Sequence, residues 1–409
     1  MKTCCSLLLL GLLTVFTSCK TSHLSKIRVH ALPVEAELIT VGNAEMLAGP
    51  SVLMDTGKMV WCGSVVRMED SMYYMFYSTW ACGKDSLGFY DSWVLESEIA
   101  VARSRYPDKG FTPLKTILRG KRYAGDSLAW DAQMVHNPHI QKFNEKYYLY
   151  YVGSADPGPQ APGSTGALLS KRDRVQQFQQ IGVLEFSSVS ELLDGKFIRP
   201  AHPLLSPSTR VKATAIIAPS PAGTLAGTDN IVVVNPSIVY RPSDKKYLLY
   251  FKGNWYDPTW RGVHGVAIGD SPVGPFKVLP DIIFDIRMDD GKIASAEDPF
   301  VWYSTKEGRF FAVLKDFTGK ITKGDASLAL LESDDGINWH RSFYAEFLKK
   351  ELVLQNGRVV KLHHLERPFL LLDKQGMPLV FYGAATIHSP AAYKQTGTFN
   401  IQLRLARVQ

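Results

Sequence analysis

The chain reads as all-β, a five-bladed β-propeller, and two sequence repeats running in phase carry that reading. The first repeat joins an apolar stretch to a short motif. Its copies are Trp61-Cys62-Gly63-Ser64-Val65, His136-Asn137-Pro138-His139-Ile140, Val234-Asn235-Pro236-Ser237-Ile238, Glu297-Asp298-Pro299-Phe300-Val301 and Glu366-Arg367-Pro368-Phe369-Leu370. After a polar turn each is followed by an aromatic second strand, at Tyr73 to Tyr77, Tyr147 to Tyr151, Tyr247 to Phe251, Phe310 to Leu314 and Pro378 to Tyr382. The second repeat is an apolar strand ending in a tight turn: Ala102 to Ser104 before Gly110, Ala167 to Ser170, Ala267 to Pro272 before Gly274-Pro275, and Leu330 to Gly336. Asp-Gly and Gly-Pro pairs supply the backbone angles that such turns require.

The elements follow in order. Residues 27 to 38 and 45 to 53 are apolar enough to contribute lead-in strands. The last blade ends on Thr398 to Val408 one strand short, so a strand from the lead-in is expected to complete it and remove an exposed edge. Motif spacing averages about 76 residues, more than a bare four-stranded blade needs, which predicts long loops. The tryptophan-rich stretch from Ser78 to Trp93 and the Pro/Ser/Thr-rich stretch from Phe186 to Gly227 read as two such excursions. No stretch sustains a helical period.

The first residues differ from the rest. Lys2, an apolar run from Leu7 to Phe16 and Thr17-Ser18-Cys19 read as a secretory signal too short to span a bilayer. The placement of Cys19 looks like a bacterial lipoprotein signal, so residues 1–19 are expected to be the signal, with Cys19 the lipidated residue, and 20–409 a single propeller domain. That implies an exported protein attached to a bacterial membrane by a lipid anchor only. Cys62 and Cys82 are the cysteines left in the body, read as buried thiols in preference to a disulfide, and no zinc spacing is present.

The formal charge of +7 is dispersed, with no dense basic stripe, phosphate-cradling glycine loop or dinucleotide fingerprint. Nucleic acid is not an expected partner. No cofactor or catalytic metal is expected; acidic side chains are too scattered to spell a calcium loop, which leaves an ion in the channel open.

A propeller gathers its inner strands around one axis, so the motif residues should converge. They would bring together His136, Asn137, Asn235, Glu297, Asp298, His364, Glu366 and Arg367, with Asp131, Lys252, Lys315 and Asp316 nearby in sequence. These motifs resemble those of the five-bladed propeller glycosidases, the superfamily of glycoside hydrolase families 43, 32, 62 and 117. The resemblance rests on His136-Asn137-Pro138, Asn235-Pro236-Ser237-Ile238, Glu297-Asp298-Pro299 and His364-Leu365-Glu366-Arg367-Pro368, and spans roughly residues 50 to 409. It implies a carbohydrate substrate and hydrolysis by opposed carboxyl groups. In family 43 the first two blades carry aspartates and the third a glutamate, whereas the matching places here hold Cys62, Asn137 and Val234-Asn235. That triad does not transfer.

The carboxylates have collected in blades 4 and 5 instead. Glu297 and Glu366 are the expected acid and base, with His364 on the same strand face as an alternative proton donor and Asp298 setting protonation. His136, Asn137, Asn235, Arg367, Trp80 and Lys315 are the expected substrate-binding residues. Each has a plainer reading: Asp298 as a backbone cap, the asparagines as blade-to-blade links, Arg367 as a partner of a carboxylate, Lys315 in a local pair with Asp316, and Trp80 as core. A phosphorylase using Lys252, Lys315, Arg367 and His364, or a non-catalytic glycan binder, are the alternatives to a hydrolase.

Overall fold

The computed structural model describes residues 24–42, 44–55, 57–81, 87–256, 260–390 and 397–408. Cys19 and the rest of the expected signal lie outside these residues, as does Cys82. Five antiparallel sheets form the blades. Blade 1 is Met59–Arg67, Tyr73–Trp80, Glu98–Ser104 and Thr112–Leu118. Blade 2 is Met134–Phe143, Lys146–Ser154 and Gln180–Phe186, flanked on its outer side by single bridges from Ile198 and Leu205. Blade 3 is Val234–Arg241, Lys246–Tyr256, Trp260–Gly269 and Phe276–Val278. Blade 4 is Ala296–Ser304, Arg309–Asp316, Ser327–Ser333 and His340–Lys349. Blade 5 is His364–Leu372, Pro378–Thr386 and Phe399–Arg407, and Val29–Ala31 pairs antiparallel with Phe399–Arg407.

The aromatic second strands have a specific structural use. Tyr150, Tyr250 and Tyr382 are buried, and each hydroxyl donates to a backbone carbonyl in the outer turn of the following blade: Pro272 (2.5 Å), Gly336 (2.7 Å) and Pro107 (2.5 Å). A phenol supplies a large apolar body and a polar tip that must find a partner when buried. The tyrosine repeat and the turn repeat are therefore two halves of one contact between blades. Trp302 makes the corresponding link from blade 4 to blade 5, its Nε1 donating to the Gly376 carbonyl at 2.9 Å.

Nearer the axis, side chains two positions after the motif residue tie neighbouring inner strands. Ser64 Oγ accepts from Ile140 N at 2.7 Å, His139 Nε2 from Ile238 N at 3.3 Å and Ser237 Oγ from Val301 N at 2.9 Å. These satisfy backbone groups that would otherwise be orphaned between sheets.

Two sequence expectations need correction. Ala167 to Ser170 is not the third strand of blade 2: Leu168 is 98% exposed, and the third strand is Gln180–Phe186, after a short helix at Lys171–Gln176. Small residues and a polar turn mimicked a strand end there. The excursion from Ser78 to Trp93 ends in a helix, Phe89–Glu96, too short to announce itself by periodicity.

Candidate active site

Each motif residue sits inside its inner strand at a break in register. Cys62, Asn137, Asn235, Asp298 and Arg367 all have left-handed backbone, with φ of 57°, 53°, 59°, 59° and 55°. Pairing skips across them, between Trp61 and Ser64 in blade 1 and between Glu297 and Phe300 in blade 4, for example. These are β-bulges, which re-aim a side chain and bend the strand. Proline after four of the five bulge residues suits a bulge because it has no N–H to place in the ladder. Asn and Asp tolerate the left-handed region; Cys62 and Arg367 occupy it at greater steric cost.

The bulges turn the five side chains towards one another as a buried ring. The amides of Asn137 and Asn235 are 2.8 Å apart, Asn235 Nδ2 donates to Asp298 Oδ1 at 2.8 Å, and Arg367 NH1 pairs with the same oxygen at 2.9 Å. The Cys62 sulfur lies 2.9 Å from the Asn137 amide. In the alternative orientation, with its oxygen turned to Arg367, the Asn137 amide meets both guanidinium NH groups at 2.8 and 2.9 Å and its nitrogen meets His136 Nε2 at 2.9 Å, in exchange for the bond to Asn235 Oδ1. Asp298 therefore bonds to side chains rather than capping backbone. Burial pushes the Asp298 carboxyl up despite Arg367, and pushes the Cys62 thiol up to about 12, which makes it a structural group and not a nucleophile.

Above this ring lies a pocket of about 400 Å³. The residues one position before each bulge, Trp61, His136, Val234, Glu297 and Glu366, form its inner lining, with Asn137, Asn235 and Arg367 at its floor. One wall is aromatic: Trp61 and Trp80 from blade 1, and Phe89, Tyr90 and Trp93 from the short helix. The facing wall is charged. Glu297 pairs with Lys252 of blade 3, and Glu366 pairs with Lys315 of blade 4. Each lysine thus reaches from the second strand of one blade to the inner-strand glutamate of the next.

Electrostatics divide the carboxyl groups. Burial raises the pKa of Glu297, but Lys252, Arg367 and Lys315 together outweigh it and hold the group well below the usual carboxylate range. Of the expected acid and base, Glu297 is thus the one that those cations hold ionised. His364 Nδ1 lies 2.9 Å from Thr386 Oγ1, and its Nε2 is 3.6 Å from Glu366 Oε1. Burial, His363 and the nearby lysines lower its pKa to about 3, so near neutrality it is an uncharged imidazole and not a ready proton donor. His136, with Nδ1 2.7 Å from Ser97 Oγ and its ring against Trp93 at 4.9 Å, is also held neutral by burial and Arg367.

Other expected residues fall elsewhere. Lys315 does not pair with Asp316, whose Oδ2 accepts from Ile321 N and Thr322 N, both at 2.9 Å, and so organises the following loop. Asp131 lies away from the pocket, receiving Arg199 at 2.6 Å and the Tyr151 hydroxyl at 2.8 Å. Trp80 is 2% exposed and wedged against Phe89 and His136, whereas Tyr90 is 49% exposed at the mouth. The sequence reading missed Phe89, Tyr90, Asn254 and Phe317 as lining residues. Asn254, two positions beyond Lys252 on an alternating strand, was the accessible clue. Among the described residues no cluster of His, Cys, Asp and Glu is arranged to hold a metal ion.

No protein-family model matches the chain, and no curated protein matches it. Solved structures do, at the level of the fold. Zg3597, a family 117 glycoside hydrolase of the marine bacterium Zobellia galactanivorans, superposes with a TM-score of 0.55 at 16% identity, covering 93% of this chain and 90% of that one. The alpha-L-arabinofuranosidase of Lactobacillus brevis gives 0.51 at 13% identity over 84% and 91%. A thermostable family-43 glycoside hydrolase gives 0.51 at 13% identity over 86% and 90%. The chain therefore has the five-bladed propeller fold found in glycoside hydrolases of families 117 and 43.

Proposed function

We propose that the protein is a glycoside hydrolase acting on an oligo- or polysaccharide bound in the axial pocket. The observation that carries this reading is the placement of Glu297 and Glu366 at equivalent positions of adjacent inner strands, lining one pocket opposite an aromatic wall. Glycosidic hydrolysis needs two carboxyl groups flanking the bond, and aromatic faces suit the apolar faces of sugar rings. Glu297, held anionic by its lysines, is the base or nucleophile. Glu366 is the partner that exchanges a proton with the leaving oxygen, and ligand entry must loosen its pairing with Lys315 for it to do so.

The test is a panel of plant and algal oligosaccharides, with and without inorganic phosphate, offered to the wild type, Glu297→Gln and Glu366→Gln. Release of new reducing ends without phosphate, abolished in both variants, is the expected result. The two ammonium groups in the pocket favour a second reading, phosphorolysis, in which phosphate replaces water; a sugar phosphate formed only with phosphate present would establish it. Binding without turnover would leave a glycan-binding propeller. We further propose export and attachment through Cys19. Cys19→Ala should move the protein from the membrane to the soluble fraction, and unchanged partitioning would refute the anchor.

A further inference from the structure

A second recess lies away from the axial pocket, on the rim between blades 1 and 2, with a volume of about 540 Å³. Its wall is the end of the outer strand of blade 1, from Thr116, and the turn that follows as far as Ala124; the blade 2 excursion supplies Phe197 and Arg199. Every charged residue lining it is a cation: Arg119, Lys121 and Arg199. The carboxylates that balance them stand behind the wall. Asp131 is fully buried under Arg199, and Glu98, with its side chain 14% exposed, is paired with Arg119 Nε at 3.0 Å.

The three cations differ in freedom. Arg199 is pinned, with Nε and NH2 on Asp131 Oδ2 and NH1 on the Arg119 carbonyl, so it builds the recess. Arg119 uses Nε for Glu98, and its side chain is 53% exposed. Lys121 belongs to no ion pair among the described residues. Tyr123, 52% exposed, offers a ring beneath Arg119, whose guanidinium is 5.8 Å from the ring centroid. Tyr123 also carries the Arg122 guanidinium at 4.7 Å and donates its hydroxyl to Glu96 at 3.0 Å, and Phe197 is half-buried. An exposed ring edge, one unpaired ammonium and a half-exposed guanidinium, with no carboxylate lining the recess, contrast with the axial pocket, where each glutamate has its own lysine.

We propose that this recess is a secondary binding site for an acidic polysaccharide, with Tyr123 and Phe197 against sugar faces and Arg119 and Lys121 on a carboxylate or sulfate group. The chemistry matches both halves of such a ligand: guanidinium and ammonium groups form charge-assisted hydrogen bonds to planar or tetrahedral anions, and aromatic rings cover C–H faces. A neutral glycan satisfies only the aromatic half, whereas a single-stranded nucleic acid offers phosphates and stacking bases, so DNA is the competitor the test must separate. The site lies outside the catalytic carboxyl pair, so it stands or falls separately from the hydrolase reading.

Affinity electrophoresis through gels containing polygalacturonate, a sulfated galactan, neutral arabinan or DNA tests it, using the Glu297→Gln protein so that turnover cannot remove the probe. Retardation by one or both acidic glycans, absent with arabinan and weaker with DNA, is expected. Arg119→Gln with Lys121→Gln should weaken binding about tenfold, as should Tyr123→Ala, and Lys121→Gln alone, which breaks no ion pair, should weaken it with thermal unfolding unchanged. Added salt should weaken it too. Equal retardation by DNA, no retardation by either acidic glycan, retardation by arabinan that the recess substitutions remove, or acidic-glycan binding indifferent to both sets of substitutions would each overturn the proposal; retardation by arabinan that those substitutions leave intact reports the axial pocket.

Discussion

Lys315 faces Glu297 across the ladder of blade 4, yet its ammonium is ion-paired with Glu366 of blade 5. The same ammonium sits 3.9 Å from the centroid of the Phe317 ring. One lysine thereby couples the two candidate catalytic carboxyl groups; Lys252 repeats only the blade-to-blade pairing, reaching Glu297 while facing Val234 across its own ladder. The cations along this wall favour the ionised form of Glu297.

Removing either glutamate should show this first. Glu297→Gln and Glu366→Gln are each expected to lower turnover by about two to four powers of ten once a substrate is in hand, because an amide neither accepts nor donates the required proton. Steady-state rates with circular dichroism as a folding check would measure it. Near wild-type turnover in one variant removes that residue from the mechanism.

The Lys315–Glu366 pair should behave as a desolvated one, since the two side chains are only 13% and 11% exposed. Lys315→Met leaves the carboxylate without its partner and should destabilise the protein by about 3 kcal/mol, whereas Lys315→Met with Glu366→Leu should recover most of that loss. Urea unfolding of the two variants decides the point. Equal losses in both would mean the pair contributes little.

Acid should unfold the protein through its histidines. Burial holds His139 and His264 neutral with pKa values of about 3, and His364 shares that depression. A depressed histidine contributes stability that is complete above its unfolded value near 6.5 and is lost as pH falls towards 3. Each should contribute a slope of up to about 1.4 kcal/mol per pH unit in that window. Glu297, also depressed, adds its loss only below its unfolded value of 4.5, while the raised Asp298 acts in the opposite sense, destabilising as pH rises from its unfolded value of 3.8 through its folded one. Urea midpoints between pH 7.5 and 4.5 should therefore fall steeply, and His139→Gln should flatten the slope. A flat profile in the wild type would contradict this account.

The bulge ring makes an unusual ordering of substitutions. At Asn137, with φ of 53°, glycine keeps the backbone at ease while alanine does not. Both lose the amide contacts, so Asn137→Gly should be more stable than Asn137→Ala by about 1 kcal/mol, the reverse of the ordinary strand preference. Thermal or chemical unfolding of the pair measures the difference, and alanine proving the more stable would show that the bulge relaxes.

Much of the architecture was legible without coordinates. Five motif copies, five aromatic second strands and a phased turn repeat are local patterns, and each blade is built from strands close in sequence, so their number and order can be read along the chain. The gathering of Glu297, Glu366, His136 and Arg367 around one axis also followed from the repeat. What the tertiary structure alone decided was the use of each group. The two lysines are separated from their glutamates by 45 and 51 residues and by a blade boundary, so no spacing rule links them. The protonation of Glu297, Asp298 and His364 depends on which cations stand beside a buried group, a property of distances in a low-dielectric interior and not of neighbours in sequence. The proline that follows Asn137, Asn235, Asp298 and Arg367 was visible throughout, but only folding shows that it marks a bulge turning those side chains inward, because the residue opposite it belongs to another strand.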